Sequence, residues 1–149
     1  MEFDYKRLVA APVSTVWDVL TDPVAMEPHM PGTAKVVSTE QDGYRVSMKM
    51  PMGFLRPTIN ADVRLSDVDK PRSFTIGLSG KAMGAGVAGS AEVSLSTTIG
   101  QDSSTQVAMI GVVTTSGLLA KVPDSKIEAA AAGFLESYFS SVERAVAAS

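Results

Sequence analysis

The stretch from Ser125 to Ala147 most constrains what this chain can become. Its apolar residues Ile127, Ala131, Phe134, Leu135, Tyr138, Val142 and Val146 recur at gaps of three and four. That spacing puts them on one stripe of an α-helix. Ser125 followed by Glu128 fits a capping box, in which each side chain satisfies a backbone N–H of the first turn. Gly133 is the one helix-weakening residue inside, at a cost of about 1 kcal/mol against Ala. A helix this long cannot bury its own stripe, so the residues ahead of it must present a broad apolar face.

The preceding chain reads as strands that supply that face. Residues 2–9 mix Phe3, Tyr5 and Val9 with Asp4 and Lys6, a first strand closed by Ala11-Pro12. Val13, Val16, Trp17 and Leu20 then fall at helical spacing. Asp22-Pro23 marks a restart, with Asp22 as N-cap and Pro23 in the first helical position of a short helix over residues 23–28. Met30-Pro31-Gly32 predicts a turn. Ala34–Thr39 is the next strand, followed by the hairpin signal Gln41-Asp42-Gly43. Tyr44, Val46, Met48 and Met50 alternate with polar residues up to the break at Pro51-Met52-Gly53. So do Ile59, Ala61, Val63 and Leu65, then Phe74, Ile76 and Leu78 after a turn at Asp69-Lys70-Pro71. Gly80–Gly89 is soft and glycine-rich: a flexible flap gating a cavity, or a strand bulge and turn. Ala91, Val93 and Leu95 alternate again. After a turn at Gly100-Gln101-Asp102, residues 105–114 are apolar on both faces, which predicts a central strand.

Short turns between alternating strands imply an antiparallel sheet. One sheet with one long helix is an α+β layer architecture, and 149 residues without repeats or linkers predict one domain over 1–149. The formal net charge is −3 and no Lys/Arg cluster is present, so a nucleic-acid partner lacks its electrostatic footprint. There is no Cys, hence no thiolate metal site and no thiol nucleophile. The charged N-terminus is no signal peptide, and no apolar run reaches the ~20 residues of a membrane span. The expected location is the cytoplasm.

Ala11-Pro12, Val16-Trp17, Leu20 and Asp22-Pro23 resemble the opening of the START-like helix-grip (SRPBCC) superfamily. Met30-Pro31-Gly32, Ser66–Pro71, and the glycine-rich Gly80–Gly89 running into Ala91-Glu92-Val93 resemble one branch of it, the carbon monoxide dehydrogenase G-subunit family. The resemblance implies a helix-grip fold: a seven-stranded antiparallel sheet wrapped around the C-terminal helix, with two short helices after the first strand. It also implies a cavity for an apolar ligand such as a lipid or quinone. A molybdenum hydroxylase-type dehydrogenase is the implied partner, with a role in membrane recruitment or electron hand-off at the inner face of the membrane.

The residues themselves offer little chemistry. His29 is the one imidazole, and a general base needs an orienting acid and a substrate beside it. With no second His and no Cys it forms no metal site, and no cofactor is expected. Asp67 and Asp69 flank a turn and read as solvated. Gly84-Ala85-Gly86 with Gly89 imitates a dinucleotide fingerprint but leads into a strand, not a helix, so its phosphate-binding mechanism is missing. Met26, Met30, Met48, Met50 and Met52, with Met109, are either walls of an adaptable apolar pocket or fillers of a shallow core. The expected ligand-binding set is Met30, Met48, Val63, Phe74, Ile76, Met109, Ala131, Phe134 and Tyr138, with Ala131 leaving room between helix and sheet. Three functions stay open: a non-catalytic carrier beside a molybdenum dehydrogenase, a polyketide cyclase-like enzyme using His29 or Tyr138, and an interaction module with a collapsed cavity.

Overall fold

The computed structural model describes residues 1–30, 35–39, 43–49, 58–82, 84–97, 100 and 103–148. Seven strands form one antiparallel sheet: β1 (Glu2–Val9), β2 (Lys35–Thr39), β3 (Gly43–Lys49), β4 (Thr58–Asp69), β5 (Ser73–Ala82), β6 (Ala85–Ser96) and β7 (Thr105–Ser116). Their spatial order is β1-β7-β6-β5-β4-β3-β2. The helices are α1 (Val13–Thr21), α2 (Pro23–Met26) and α3 (Asp124–Ala147), with 3-10 turns at Glu27–His29 and Gly117–Lys121. This is the α+β layer architecture that the alternation and the long terminal stripe predict, in the helix-grip arrangement that the resemblance implies.

The period-2 pattern decides which face is buried. Tyr5, Val9, Tyr44, Val63, Phe74, Val93, Leu95, Val107 and Met109 are buried on the inner face. The face is closed by Val16, Trp17, Val19 and Leu20 of α1 and by Tyr138, Phe139 and Val142 of α3. Trp17 meets Phe74 edge to face at 5.4 Å. Each such side chain contributes about 1.5–3 kcal/mol on burial. The helix restart forms at the expected residues: the Asp22 side chain accepts the Val24 N–H at 3.0 Å, with Pro23 at the helix start.

Four expectations need correction. The capping box does not form. Pro123 is the N-cap residue and its carbonyl accepts from Lys126 and Ile127, so Ser125 already lies inside the first turn. The central-strand reading of 105–114 overstates its burial. β7 is an interior strand, but Ile110 and Val112 are 60% and 50% exposed, because the outer face of the sheet carries no second layer. The Gly80–Gly89 flap is largely paired strand. Gly80 pairs with Val87, Lys81 with Gly86, and Gly89 with Val113 across the next ladder, with the hairpin at Gly84 (φ 75°). The helical stripe omitted Phe139, which is fully buried. The turns at Pro31-Gly32, Gln41-Asp42, Pro51–Gly53 and Gln101-Asp102, like Ala34, Met50 and Met83, lie outside the described residues.

The glycines of β6 and β7 have a steric purpose. A Cβ at Gly111 would collide with the Ser90 carbonyl oxygen and stand 2.6 Å from Ala91 Cβ. One at Gly89 would stand 2.6 Å from the Val112 carbonyl oxygen. The two strands approach too closely there for any side chain. Gly133 in α3 has nothing within 4 Å of its would-be Cβ. Gly111→Ala is therefore expected to lower stability by at least about 2 kcal/mol through backbone displacement. Gly133→Ala is expected to raise it by about 0.5–1 kcal/mol. Urea unfolding midpoints of the two variants check both signs.

Candidate functional site

α3 is fixed to the sheet along one flank. Arg7, on the inner face of β1, is bonded to Glu136 Oε2 at 2.5 Å and to Glu143 Oε1 at 2.7 Å. Glu143 Oε2 also accepts the Ala10 N–H at 2.9 Å, and Tyr5 Oη donates to Glu136 Oε1 at 2.7 Å. Burial first, and then the bond to Glu136, pushes the Tyr5 phenol up to about 12. A second tie holds the middle of the helix, where the Tyr138 hydroxyl donates to the Val19 carbonyl of α1. Burial, reinforced by Tyr44, pushes the Tyr138 phenol well above its ordinary value, so the group stays neutral and keeps the proton it donates to that carbonyl.

The opposite flank of α3 is open. Between it, residues 28–30 and the end of β3 lies a groove of about 800 Å³, within the usual size of a small-molecule site. Its apolar walls are Met30, Met48, Ala129, Ala130, Phe134 and Tyr138, with Gly133 adding open space. Ser137, Ser141, Lys49, Lys126 and Arg144 complete the lining beside Pro28 and His29. His29 stands over this groove. Its Nδ1 lies 2.8 Å from Ser141 Oγ, and its ring meets Tyr138 edge on at 5.9 Å. Phe134 stacks on the other side of Tyr138, at 5.8 Å. A smaller cavity of about 340 Å³ lies beside Trp17, Leu65 and Lys70.

Of the nine expected ligand residues, the groove gathers Met30, Met48, Phe134 and Tyr138. It does not gather Val63, Phe74, Ile76, Met109 or Ala131. Val63, Phe74 and Met109 are buried core residues, and Ile76 packs against that core. The reason is the fill beneath the helix. Ala131 is half-buried and belongs to neither core cluster, while the bulk under α3 comes from the fully buried Phe139, about two turns further on. A helix turns about 100° per residue. Ala131 and Gly133 thus point about 200° apart, and Gly133 takes the open side. Sequence reasoning missed Ala130, Gly133, Ser137 and Ser141. Their signal was present as small residues at gaps of three and four, phased away from the apolar stripe. Met26 is buried in the core, as the gap-filling reading has it.

Among the described residues no group of three or more His, Cys, Asp or Glu could hold a metal ion. No described helix is long and apolar enough to cross a membrane. Burial lowers the His29 pKa below its ordinary value, so at neutral pH the ring is uncharged. Its contribution to stability is present above about pH 6.5 and is lost as the pH falls toward the lower folded value, because the unfolded chain binds that proton first. His29→Gln is expected to flatten the fall in unfolding midpoint below pH 6.5. An unchanged slope would show that the ring is as solvated in the fold as out of it.

The family model described as the G subunit of carbon monoxide dehydrogenase (CoxG) matches residues 6–147. No curated protein matches the chain. The fold is similar to that of a conserved protein from Geobacillus kaustophilus, with a TM-score of 0.85 at 16% identity over 99% of this chain and 95% of that one. A protein from Mycobacterium smegmatis gives 0.69 at 16% identity over 96% and 88% of the two chains. The Zhui aromatase/cyclase from a Streptomyces species gives 0.63 at 19% identity over 96% and 91%.

Proposed function

From the premise that this chain belongs to the CoxG family, named for the G subunit of carbon monoxide dehydrogenase, we propose that it is a non-catalytic carrier of a hydrophobic molecule, a lipid or a quinone. It acts beside a carbon monoxide dehydrogenase-type molybdenum enzyme, in membrane recruitment or in passing electrons to a membrane-borne acceptor. The protein itself reaches the membrane, on this reading, only as a peripheral visitor to its inner face.

One observation carries the reading: the groove along α3 is large, adaptable and poor in reactive groups. Its apolar walls combine two thioethers with two stacked aromatic rings. Methionine side chains conform to irregular apolar shapes, which suits a flexible tail. Among the described residues no carboxylate lines it. The Tyr138 hydroxyl is committed to a backbone carbonyl, and His29 has Ser141 rather than an acid as its partner. Acid–base catalysis of the cyclase kind needs a free, correctly poised donor or acceptor. A cyclase-like enzyme would draw on His29 alone.

Gly133→Leu tests the site. Its side chain projects into the groove, so binding of an apolar fluorescent dye or a short-chain quinone should weaken at least about tenfold, the worth of burying roughly two methylenes. The unfolding midpoint should hold or rise. Ala131→Leu, off the groove, should leave binding unchanged. A parent protein that binds neither compound would overturn the carrier reading. His29→Ala separates the enzyme reading, since loss of a general base costs roughly 10²–10⁴-fold in rate. Binding and cellular function are expected to survive that change.

A further inference from the structure

The charge of the groove is at odds with the charge of the chain. The protein is net acidic, at −3, yet among the described residues the groove is lined by Lys49, Lys126 and Arg144 and by no Asp or Glu. Among the described residues none of the three cations has an ion-pair partner. Of the four acids of α3, Glu136 and Glu143 are turned to the other flank and held by Arg7 and Ala10, and Asp124 and Glu128 form no ion pair with Lys126 among the described residues. The cations are also spread along the groove. Lys126 and Arg144 are eighteen residues apart on one helix, about 27 Å at 1.5 Å per residue. Lys49 ends β3 opposite Thr58. The next residue, Ile59, shares a buried cluster with Ile127 of α3, which places Lys49 toward the Lys126 end. The apolar walls Ala130, Phe134 and Tyr138 run from there toward Arg144.

We infer that the groove takes an amphipathic anion: an aliphatic chain laid along α3, with a carboxylate or phosphate head at the Lys49–Lys126 end. The inference rests on the carrier reading and adds the charge of the ligand. Length agrees with it. An acyl chain spans about half of the ~30 Å hydrocarbon core of a bilayer, so such a chain lies within the stripe of about 27 Å with its head at one end. Chemistry agrees as well. Ammonium groups left without carboxylates among the described lining residues, at the mouth of an apolar site, favour anionic over neutral heads.

The test compares three sixteen-carbon ligands on the purified chain by displacement of an apolar dye: hexadecanoate, hexadecyl phosphate and hexadecanol. The two anions are expected to bind roughly five- to tenfold tighter than the alcohol, the modest gain that exposed ion pairs allow. That advantage should shrink as salt shortens the screening length. K49Q/K126Q should abolish the preference while keeping hexadecanol binding, which reports an intact fold and groove. The tighter of the two anions identifies the head group. Equal binding of anion and alcohol, or a preference that survives K49Q/K126Q, would overturn the inference and leave the carrier reading standing. Failure of all three ligands to displace the dye would overturn both.

Discussion

The roll of α3 about its own axis decides where this molecule is solid and where it is hollow, and Arg7 sets that roll. Arg7 occupies an inward position of β1 between the buried Tyr5 and Val9. A cation there without partners would be strongly destabilising. Glu136 and Glu143, seven residues apart, lie two turns apart on one flank of α3, and both reach Arg7. Once that flank faces β1, Tyr138, Phe139 and Val142 point into the sheet. The flank of Ala130, Gly133, Ser137 and Ser141 then cannot reach a strand, and the groove forms beside it.

The fold was largely legible in the residues because period 2 and period 3.6 are hard to confuse over such lengths. Asp22-Pro23 located a helix start to the residue, since a capping carboxylate and a proline leave few alternatives. The site was legible only in part, and the misses share one cause. Sequence periodicity gives the width of an apolar stripe but not what fills the space under it. Ala131 reads as a gap because it is small. The core under the helix is filled by side chains such as Phe139 of the same helix and Trp17 of α1, which share one buried cluster that no local pattern announces. The Arg7 network had a signal that went unread: residue 7 has the parity of Phe3, Tyr5 and Val9, so its charge had to find acids on α3. Gly80–Gly89 misled in the opposite direction. Its glycines relieve close strand contacts, as the 3.1 Å approach of a Gly80 Cβ to Ala61 shows. Softness in composition is there a requirement of tight packing.

Sharing a fold with an aromatase/cyclase says little about chemistry, since sites are grafted on folds. What differs between a reaction vessel and a carrier is the set of groups that face the hollow. In this chain the polar atoms near the groove are spent on structure: the Tyr138 hydroxyl on α1, the His29 Nδ1 on Ser141, and the α3 glutamates on β1. Each of these bonds fixes an element, and each removes a candidate acid or base from the hollow. Among the described lining residues, what forms no bond to another element is mainly apolar surface and three cations, the combination on which the carrier reading rests. The same pinning that makes the helix a wall turns its glutamates away from the groove, so the shape of the groove and the groups that face it have one origin in the contact between α3 and β1.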